Sequence, residues 1–435
     1  MKSSKLSTQP YKGARDFYPN DMQIRNYIFN TWRKVCKSYG YEEYDGPFLE
    51  SFDLYAAKTG EEIVNEQLYS FEDRGGRKVA IRPEMTPTLA RMVSQKYKTL
   101  LQPIRWFSIP NLWRYEKPQK GRLREHYQLN VDIFGINDIS ADFETISVLV
   151  DIMRAFGAKE NMFEIRVGNR RLIEDVYKLF SISKDKTQRI NKAIDKKSKI
   201  SEKEFKELLE KDAKLNSREI DSICQFLKDP QEIINKLESA SEGAREVKTL
   251  LDMACVSNID KFIKYDPSII RGIDYYTGNV FELYNLDPEN TRAMSGGGRY
   301  DNLVELFIDE KISGTGFGMG DVTLQNFLEN WKLLPTPAGD CEYLITVWPE
   351  NSTNKYFQIS LEIANTLRQK GVNVQLWLDK NTKLDKQLKY ADRKNIKFVV
   401  IVGESELNNK GITIKNLVNQ TQETKSLEKF LSEVK

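Results

Sequence analysis

The densest chemistry in the chain lies between Asn111 and Gly135, where Arg114, Glu116, Gln119, Arg122, His126, Gln128 and Asp132 crowd one short stretch. Arg114 and Glu116 are two apart, and His126, Gln128 and Asp132 share a parity, so on strands each set faces one side. A floor of Arg, Glu, Gln and Asp costs free energy in a core. It suits a polyanionic, purine-bearing ligand: arginine for phosphate, glutamate for an exocyclic amine, imidazole to stack on a ring. A solvated charged hairpin is the plain alternative. Further on, Arg82-Pro83-Glu84-Met85-Thr86 ends a strand with an acid and a hydroxyl, suited to an ammonium group. Arg271-Gly272-Ile273-Asp274-Tyr275-Tyr276 sets a cation, an acid and two phenols in a strand-turn context. Ser295-Gly296-Gly297-Gly298-Arg299-Tyr300-Asp301 lets backbone approach a ligand closely. Each alone reads as a turn, an ion pair or core tyrosines; together they form one site.

The glycines of Gly314-Thr-Gly316-Phe-Gly318-Met-Gly320 do not fit GxGxxG, and no GxxxxGK[ST] occurs. They predict a strand against which something packs closely.

The elements that must hold these residues follow from pattern. Met22, Ile24, Tyr27, Ile28, Trp32, Val35 and Cys36 recur at helical period over 21–40, with Gly40 as a stop. Short β-like runs follow from 68 to 134, and those at 105–109 and 128–134 bracket a charged loop, 117–122, as an antiparallel hairpin. Over about 170–255 glycine nearly vanishes and Lys and Glu dominate, which predicts a helical insertion with a solvated face. Leu333-Leu-Pro-Thr-Pro-Ala-Gly339 reads as a linker. Beyond it, strands at 343–347, 372–376 and 398–402 alternate with helices at 357–370 and 384–394, a small α/β unit with mainly parallel pairing.

With 435 residues, 40% hydrophobic and 30% charged, the chain can bury several cores, which excludes wholesale disorder. No apolar run nears membrane-span length, the N-terminus lacks a secretory stretch, and a soluble, cytosolic protein is expected. A net charge of +3 does not make the whole chain an electrostatic nucleic-acid binder. The four cysteines lie far apart, without zinc-ligand spacing. Only one histidine, His126, is present, which excludes any site built on two imidazoles. Chemistry must run on Arg, Glu, Asp, Tyr, Gln and backbone groups.

The run from Arg114 to Phe134 resembles motif 2 of the class II aminoacyl-tRNA synthetases, and the helix before Pro47 resembles motif 1. Arg271-Gly-Ile-Asp-Tyr-Tyr276 and Gly296-Gly-Gly-Arg-Tyr-Asp301 resemble the two histidine-specific signatures. Residues 340–435, with Lys386-Gln-Leu-Lys-Tyr-Ala-Asp-Arg393, resemble the anticodon-binding domain. On these segments the whole chain resembles a histidyl-tRNA synthetase. The resemblance implies an α+β catalytic domain with an antiparallel six-stranded sheet, in two parts, 1–169 and 256–334. A helical insertion, 170–255, would clamp the tRNA acceptor arm, and a C-terminal α/β anticodon-binding domain would span 335–435. It implies a cytoplasmic homodimer paired through motif 1, and substrates L-histidine, ATP with Mg²⁺, and tRNA(His).

By the same resemblance Arg114 and Arg271 are the catalytic cations where the carboxylate meets the α-phosphate. Arg122 lies near the outer phosphates, Glu116 reads the adenine amine and His126 stacks on the ring. Glu84, Thr86 and Gln128 surround the α-amino group, Asp132 and Tyr276 read the imidazole, and Met85 and Tyr275 belong to the same pocket. Gln119 would touch the tRNA acceptor end. Two positions depart from the family: it often carries Phe where His126 stands, and motif 3 usually has an arginine where Thr323 follows Gly320-Asp321-Val322. Two other readings compete. One is a histidine-sensing regulatory subunit of ATP phosphoribosyltransferase, which typically lacks the arginine signature and the anticodon domain. The other is a sensor of uncharged tRNA. The missing arginine is the feature that favours them.

Overall fold

The computed structural model describes residues 5–434 except 58–62, 120, 198–199, 271–274, 291, 337–339, 350–353 and 409–410. They divide into two compact units, one up to Leu334 and one from Pro335.

The first unit opens with helix α1, Pro19–Ser38. Proline at the helix start needs no N–H partner, Asp21 accepts the Tyr18 N–H at 3.0 Å, and Gly40 at φ +79° ends it. Its buried stripe is Ile28, Phe29, Trp32, Val35 and Cys36. The strands are β1 (Glu42–Glu43), β2 (Leu49–Ser51), β3 (Ser70–Glu72), β4 (Lys78–Ile81), β5 (Ile104–Ser108) and β6 (Asn111–Trp113). They continue with β7 (Glu125–Phe134), β8 (Phe163–Asn169), β9 (Ile263–Tyr265), β10 (Asn279–Asn285), β11 (Ala293–Tyr300) and β12 (Gly314–Gly320).

Nine of these form one sheet in the order β1-β5-β7-β12-β11-β10-β8-β9, with β6 beside β7. Its six inner strands, β5 to β8 in that order, pair antiparallel throughout, while β1 and β9 add parallel edges. The expected six-stranded antiparallel sheet is therefore the inside of a larger mixed one. The extra strands are two or three residues long, too short to leave a periodic signature. A separate three-stranded sheet, β2-β4-β3, stands beside it.

Parity divides the large sheet. Leu129, Val131 and Ile133 of β7, Phe317 and Met319 of β12, and Phe281 and Leu283 of β10 enter one core. That core packs under α1, α4 (Ile139–Ala155, after α2 at Phe52–Ala56 and α3 at Thr86–Lys96) and the helix Asp321–Asn330. The alternate positions, His126, Gln128 and Asp132 on β7, Glu282 on β10 and Gly296, Gly298 and Tyr300 on β11, belong to the opposite face.

Between β8 and β9 the described residues form six helices from Arg170 to Val256. Four carry side-chain N-caps (Asn169, Ser201, Asn216, Ser241), and they share their own core around Phe205, Leu209, Ile223 and Phe226. The second unit has a five-stranded sheet. Val374–Leu376, Tyr343–Ile345 and Phe398–Ile401 pair in parallel, and Gly411–Asn416 and Thr421–Ser426 add an antiparallel hairpin. Among the described residues no helix is long and apolar enough to cross a membrane.

Candidate active site

Glycine makes the polar floor possible. On β12, Gly316 lies opposite Asp132 and Gly320 opposite Gln128. A Cβ at 316 would fall 2.3 Å from Asp132 Oδ1, and one at 318 would fall 2.6 Å from Gln128 Nε2. Both side chains therefore lie flat along a strand that offers no side chain on this face. Over Gln128 opens a cavity of about 250 Å³ walled by Arg114, Glu116, Arg122, His126, Gln128, Glu282 and Thr323.

Arg114 and Glu116 reach this cavity from a non-strand segment, because β6 ends at Trp113. Arg114 is fixed by Nε donating to the Pro83 carbonyl at 2.9 Å and by its own N–H donating to the Arg124 carbonyl at 2.8 Å. Arg122 stands 3.7 Å from Glu116 with its head more than half exposed, so it is an adjustable cation. The turn between them is closed: Gln119 and Arg122 exchange two backbone hydrogen bonds, at 3.0 and 2.9 Å, with Gly121 at φ +80°. Burial, then the charges of Arg114 and Arg15, push the His126 imidazole down to about 3. At neutral pH it is an uncharged flat ring, fit to stack on a base.

Beside the cavity lies a pocket of acids and phenols. Asp132 is 3% exposed; its Oδ1 accepts the Tyr300 hydroxyl, and its Oδ2 is buried with no hydrogen-bond partner among the described residues. Burial raises this carboxyl to about 7, against the opposing pull of Tyr300. Tyr275 donates to Glu84 Oε2 at 3.3 Å. The rings of Tyr275, Tyr276 and Tyr300 stand 5.2 to 6.5 Å apart. Burial and the nearby charges of Glu84 and Asp132 hold the Tyr276 phenol protonated as a donor. Thr86 begins α3, next to Glu84. Met85 is fully buried against Gly46 and Arg82, away from the cavity wall. Arg82 spans the same loop, donating to Asp45 and to the carbonyls of Gly46 and Asn111. Arg271 lies outside the described residues, with Gly272, Ile273 and Asp274.

A cavity with arginines and a neutral ring, joined to a pocket with an unfilled carboxylate acceptor, fits a nucleotide beside a small polar molecule. Residues 13–322 match the family model for histidyl-tRNA synthetase, and residues 344–435 match that for an anticodon-binding domain. The chain belongs to the histidyl-tRNA synthetase family. A histidine–tRNA ligase of Leptospira biflexa is 44% identical over 437 residues, covering 100% of this chain and 99% of the relative. One of Thermoplasma volcanium is 39% identical, covering 97% of each. The crystal structure of histidyl-tRNA synthetase from Nostoc sp. PCC 7120 matches at 25% identity with a TM-score of 0.82, over 99% of both chains. A Bacillus halodurans chain described as an ATP phosphoribosyltransferase regulatory subunit/histidyl-tRNA synthetase shares only the fold, at 21% identity and a TM-score of 0.74 over 89% of this chain and 97% of that one.

Three features of the site are not legible in the sequence. Tyr300 lies in a glycine-rich run, yet it shares the parity of Gly296 and Gly298 and so faces the pocket. Glu282 stands opposite Gly296 on β10, an acid in a strand otherwise apolar on its other face. Arg299 points the opposite way. It is 1% exposed and ties β11 to Asp142 (Nε to Oδ2 at 2.8 Å) and to the carbonyls of Ile136 (3.0 Å) and Asp138 (2.8 Å). Thr323 turns its hydroxyl back to the carbonyls of Met294 and Gly320, at 3.3 and 3.2 Å.

Proposed function

We propose that the chain joins histidine to tRNA in two steps divided among the groups just described. L-Histidine and ATP give histidyl-adenylate and pyrophosphate, and the acyl group then passes to a hydroxyl of the terminal ribose of tRNA(His) as AMP leaves. The first step brings a carboxylate to a phosphate, so it needs cations and positioning rather than a base. Arg114 and Arg271 supply that charge at the reacting centre. Arg122 follows the outer phosphates, Glu116 accepts from the adenine amine and His126 stacks on the ring. Glu84, Thr86 and Gln128 hold the α-ammonium, with Tyr275 shaping the wall behind and Met85 packed under the loop that carries Glu84 and Thr86. Asp132 and Tyr276 read the two ring nitrogens, a polar match that an apolar side chain cannot imitate. The observation that carries this reading is the bare, buried Oδ2 of Asp132, which demands a donor from the ligand.

Magnesium belongs with the nucleotide. Glu282, in the cavity wall, offers a hard oxygen ligand. No group of three or more acid, His or Cys ligands occurs among the described residues. That suits an ion held by one or two protein oxygens and the phosphates, whose charge it would screen. Gln119, on the turn at the cavity mouth, meets the acceptor end. The helices from 170 to 255 form an insertion domain that grips the acceptor arm, and 335–435 binds the anticodon. Motif 1 pairs two copies, and the enzyme works in the cytoplasm. Deleting the insertion should raise the tRNA KM; an unchanged KM removes that role.

Histidine-dependent ATP–pyrophosphate exchange tests the reading, with wild type beside Arg271→Ala. Exchange that collapses in the variant supports adenylate chemistry through that arginine. Histidine binding without exchange in the wild type sinks it and revives the sensor.

A further inference from the structure

Among the described residues, the wall of the nucleotide cavity carries little net positive charge. Among its described wall residues two arginines, Arg114 and Arg122, face two glutamates, Glu116 and Glu282, around His126. A triphosphate brings several negative charges, and the arginine expected after the glycine strand is Thr323. That threonine offers nothing to a phosphate, since its hydroxyl is spent on the carbonyls of Met294 and Gly320. The turn at Gly121 sits over it: a Cβ there would be 3.7 Å from the Thr323 methyl.

A further exposed arginine stands at this rim. Arg292 directly precedes β11, whose first residues, Ala293 and Met294, line the cavity. Its Nη2 donates to Gln119 Oε1 at 3.2 Å, so the guanidinium spans from the β11 side to the turn that carries Arg122. This contact is neutral on the Gln119 side and exposed, and is weaker than the charge-assisted bond that a phosphate oxygen makes. We propose that Arg292 binds the outer phosphates of ATP, supplying from the strand side the charge that Thr323 does not. Gln119 holds the side chain at the mouth until nucleotide arrives. The proposal rests on the reading of this cavity as the ATP site.

The test measures ATP–pyrophosphate exchange and equilibrium binding of ATP and AMP for wild type, Arg292→Ala and Arg292→Lys. Unfolding curves confirm that the variants fold. Arg292→Ala should raise the ATP KM about tenfold, the loss of roughly one charge-assisted contact. The histidine KM should stay within about twofold, AMP affinity should not move, and lysine should recover part of the loss because it keeps the charge. An unchanged ATP KM overturns the proposal. So does an equal loss of AMP, which would mean a contact to the base, and so does a rise confined to the tRNA KM in aminoacylation. Wild type that binds no ATP at all would instead overturn the site reading, and Arg292 with it.

Discussion

The Tyr300 hydroxyl donates to Oδ1 of Asp132 and leaves Oδ2 buried with no hydrogen-bond partner among the described residues. The bond fixes which oxygen a ligand meets and helps the carboxylate keep its charge in a buried place. Tyr300→Phe should therefore weaken histidine about tenfold in KM, with ATP KM little changed. Because the lost bond had lowered the Asp132 pKa, the pH at which histidine binding becomes strong should move up. Exchange rates against histidine concentration from pH 6 to 9 would show both effects. An unaltered histidine KM would leave Tyr300 a packing residue.

The same aspartate is a burden on the empty protein. Its carboxyl is raised to about 7 in the fold, above the usual carboxylate value. The folded state thus holds a proton that the unfolded chain releases, and stability falls as pH rises from about 4 through 7. Asp132→Asn removes that dependence. At pH 8 the variant should be more stable than wild type by on the order of 1–3 kcal/mol, and at pH 4 nearly equal. It should also lose histidine-dependent exchange. Thermal unfolding at the two pH values decides; a variant less stable at both would mean that Asp132 is ionised without strain.

What the sequence disclosed and what it hid differ by physical cause. The polar alternation on β7 was legible because His126, Gln128, Asn130 and Asp132 alternate with apolar residues and so mark one polar face of a strand. The glycine run was legible as a place of close packing, and the partners proved to be Gln128 and Asp132. The hairpin Gly411–Asn416 and Thr421–Ser426 was missed because its second strand, Thr-Gln-Glu-Thr-Lys-Ser, is polar and largely exposed, with no apolar face to betray a period. Arg299 looked like part of a ligand site, since nothing in a single chain tells which face of a strand lies inward. Glu282 was hidden the same way. The expectation that Arg114 and Glu116 share a strand was too regular: the strand stops at Trp113, and a loop carries both to the cavity.

Gly316 lies under the pocket with no room for a methyl group. A Cβ would sit 2.4 Å from the Val131 carbonyl as well as 2.3 Å from Asp132 Oδ1, and the first is backbone within a paired strand. Gly316→Ala must part β12 from β7 or push Asp132 aside. A loss of about 1–3 kcal/mol in stability is expected, with histidine affinity reduced in whatever folds. Gly371→Ala is the contrast: it has open space but φ +82°, so backbone strain alone should cost about 1 kcal/mol there, with no effect on histidine. Denaturant unfolding and histidine titration of the two variants separate steric from conformational loss.

Arg299 and Asp142 are both almost wholly buried, joined through Nε and Nη2 to one carboxylate oxygen, and they lock β11 against α4. Burial alone would neutralise Asp142; with Arg299 beside it the carboxyl is raised only to about 6. Arg299→Met leaves an uncompensated acid in the core, a change that typically costs about 3–5 kcal/mol. Without the guanidinium, the Asp142 pKa climbs further above its unfolded value. The folded variant then binds a proton that the unfolded chain gives up, so its deficit grows as pH rises. The variant should unfold at a markedly lower temperature than wild type at pH 8 and lose less at pH 5. Adding Asp142→Asn should flatten that difference and recover part of the loss. If Arg299→Met alone is as stable as wild type at pH 8, the pair does not hold the signature strand in place, and Arg299 must be sought in the chemistry instead.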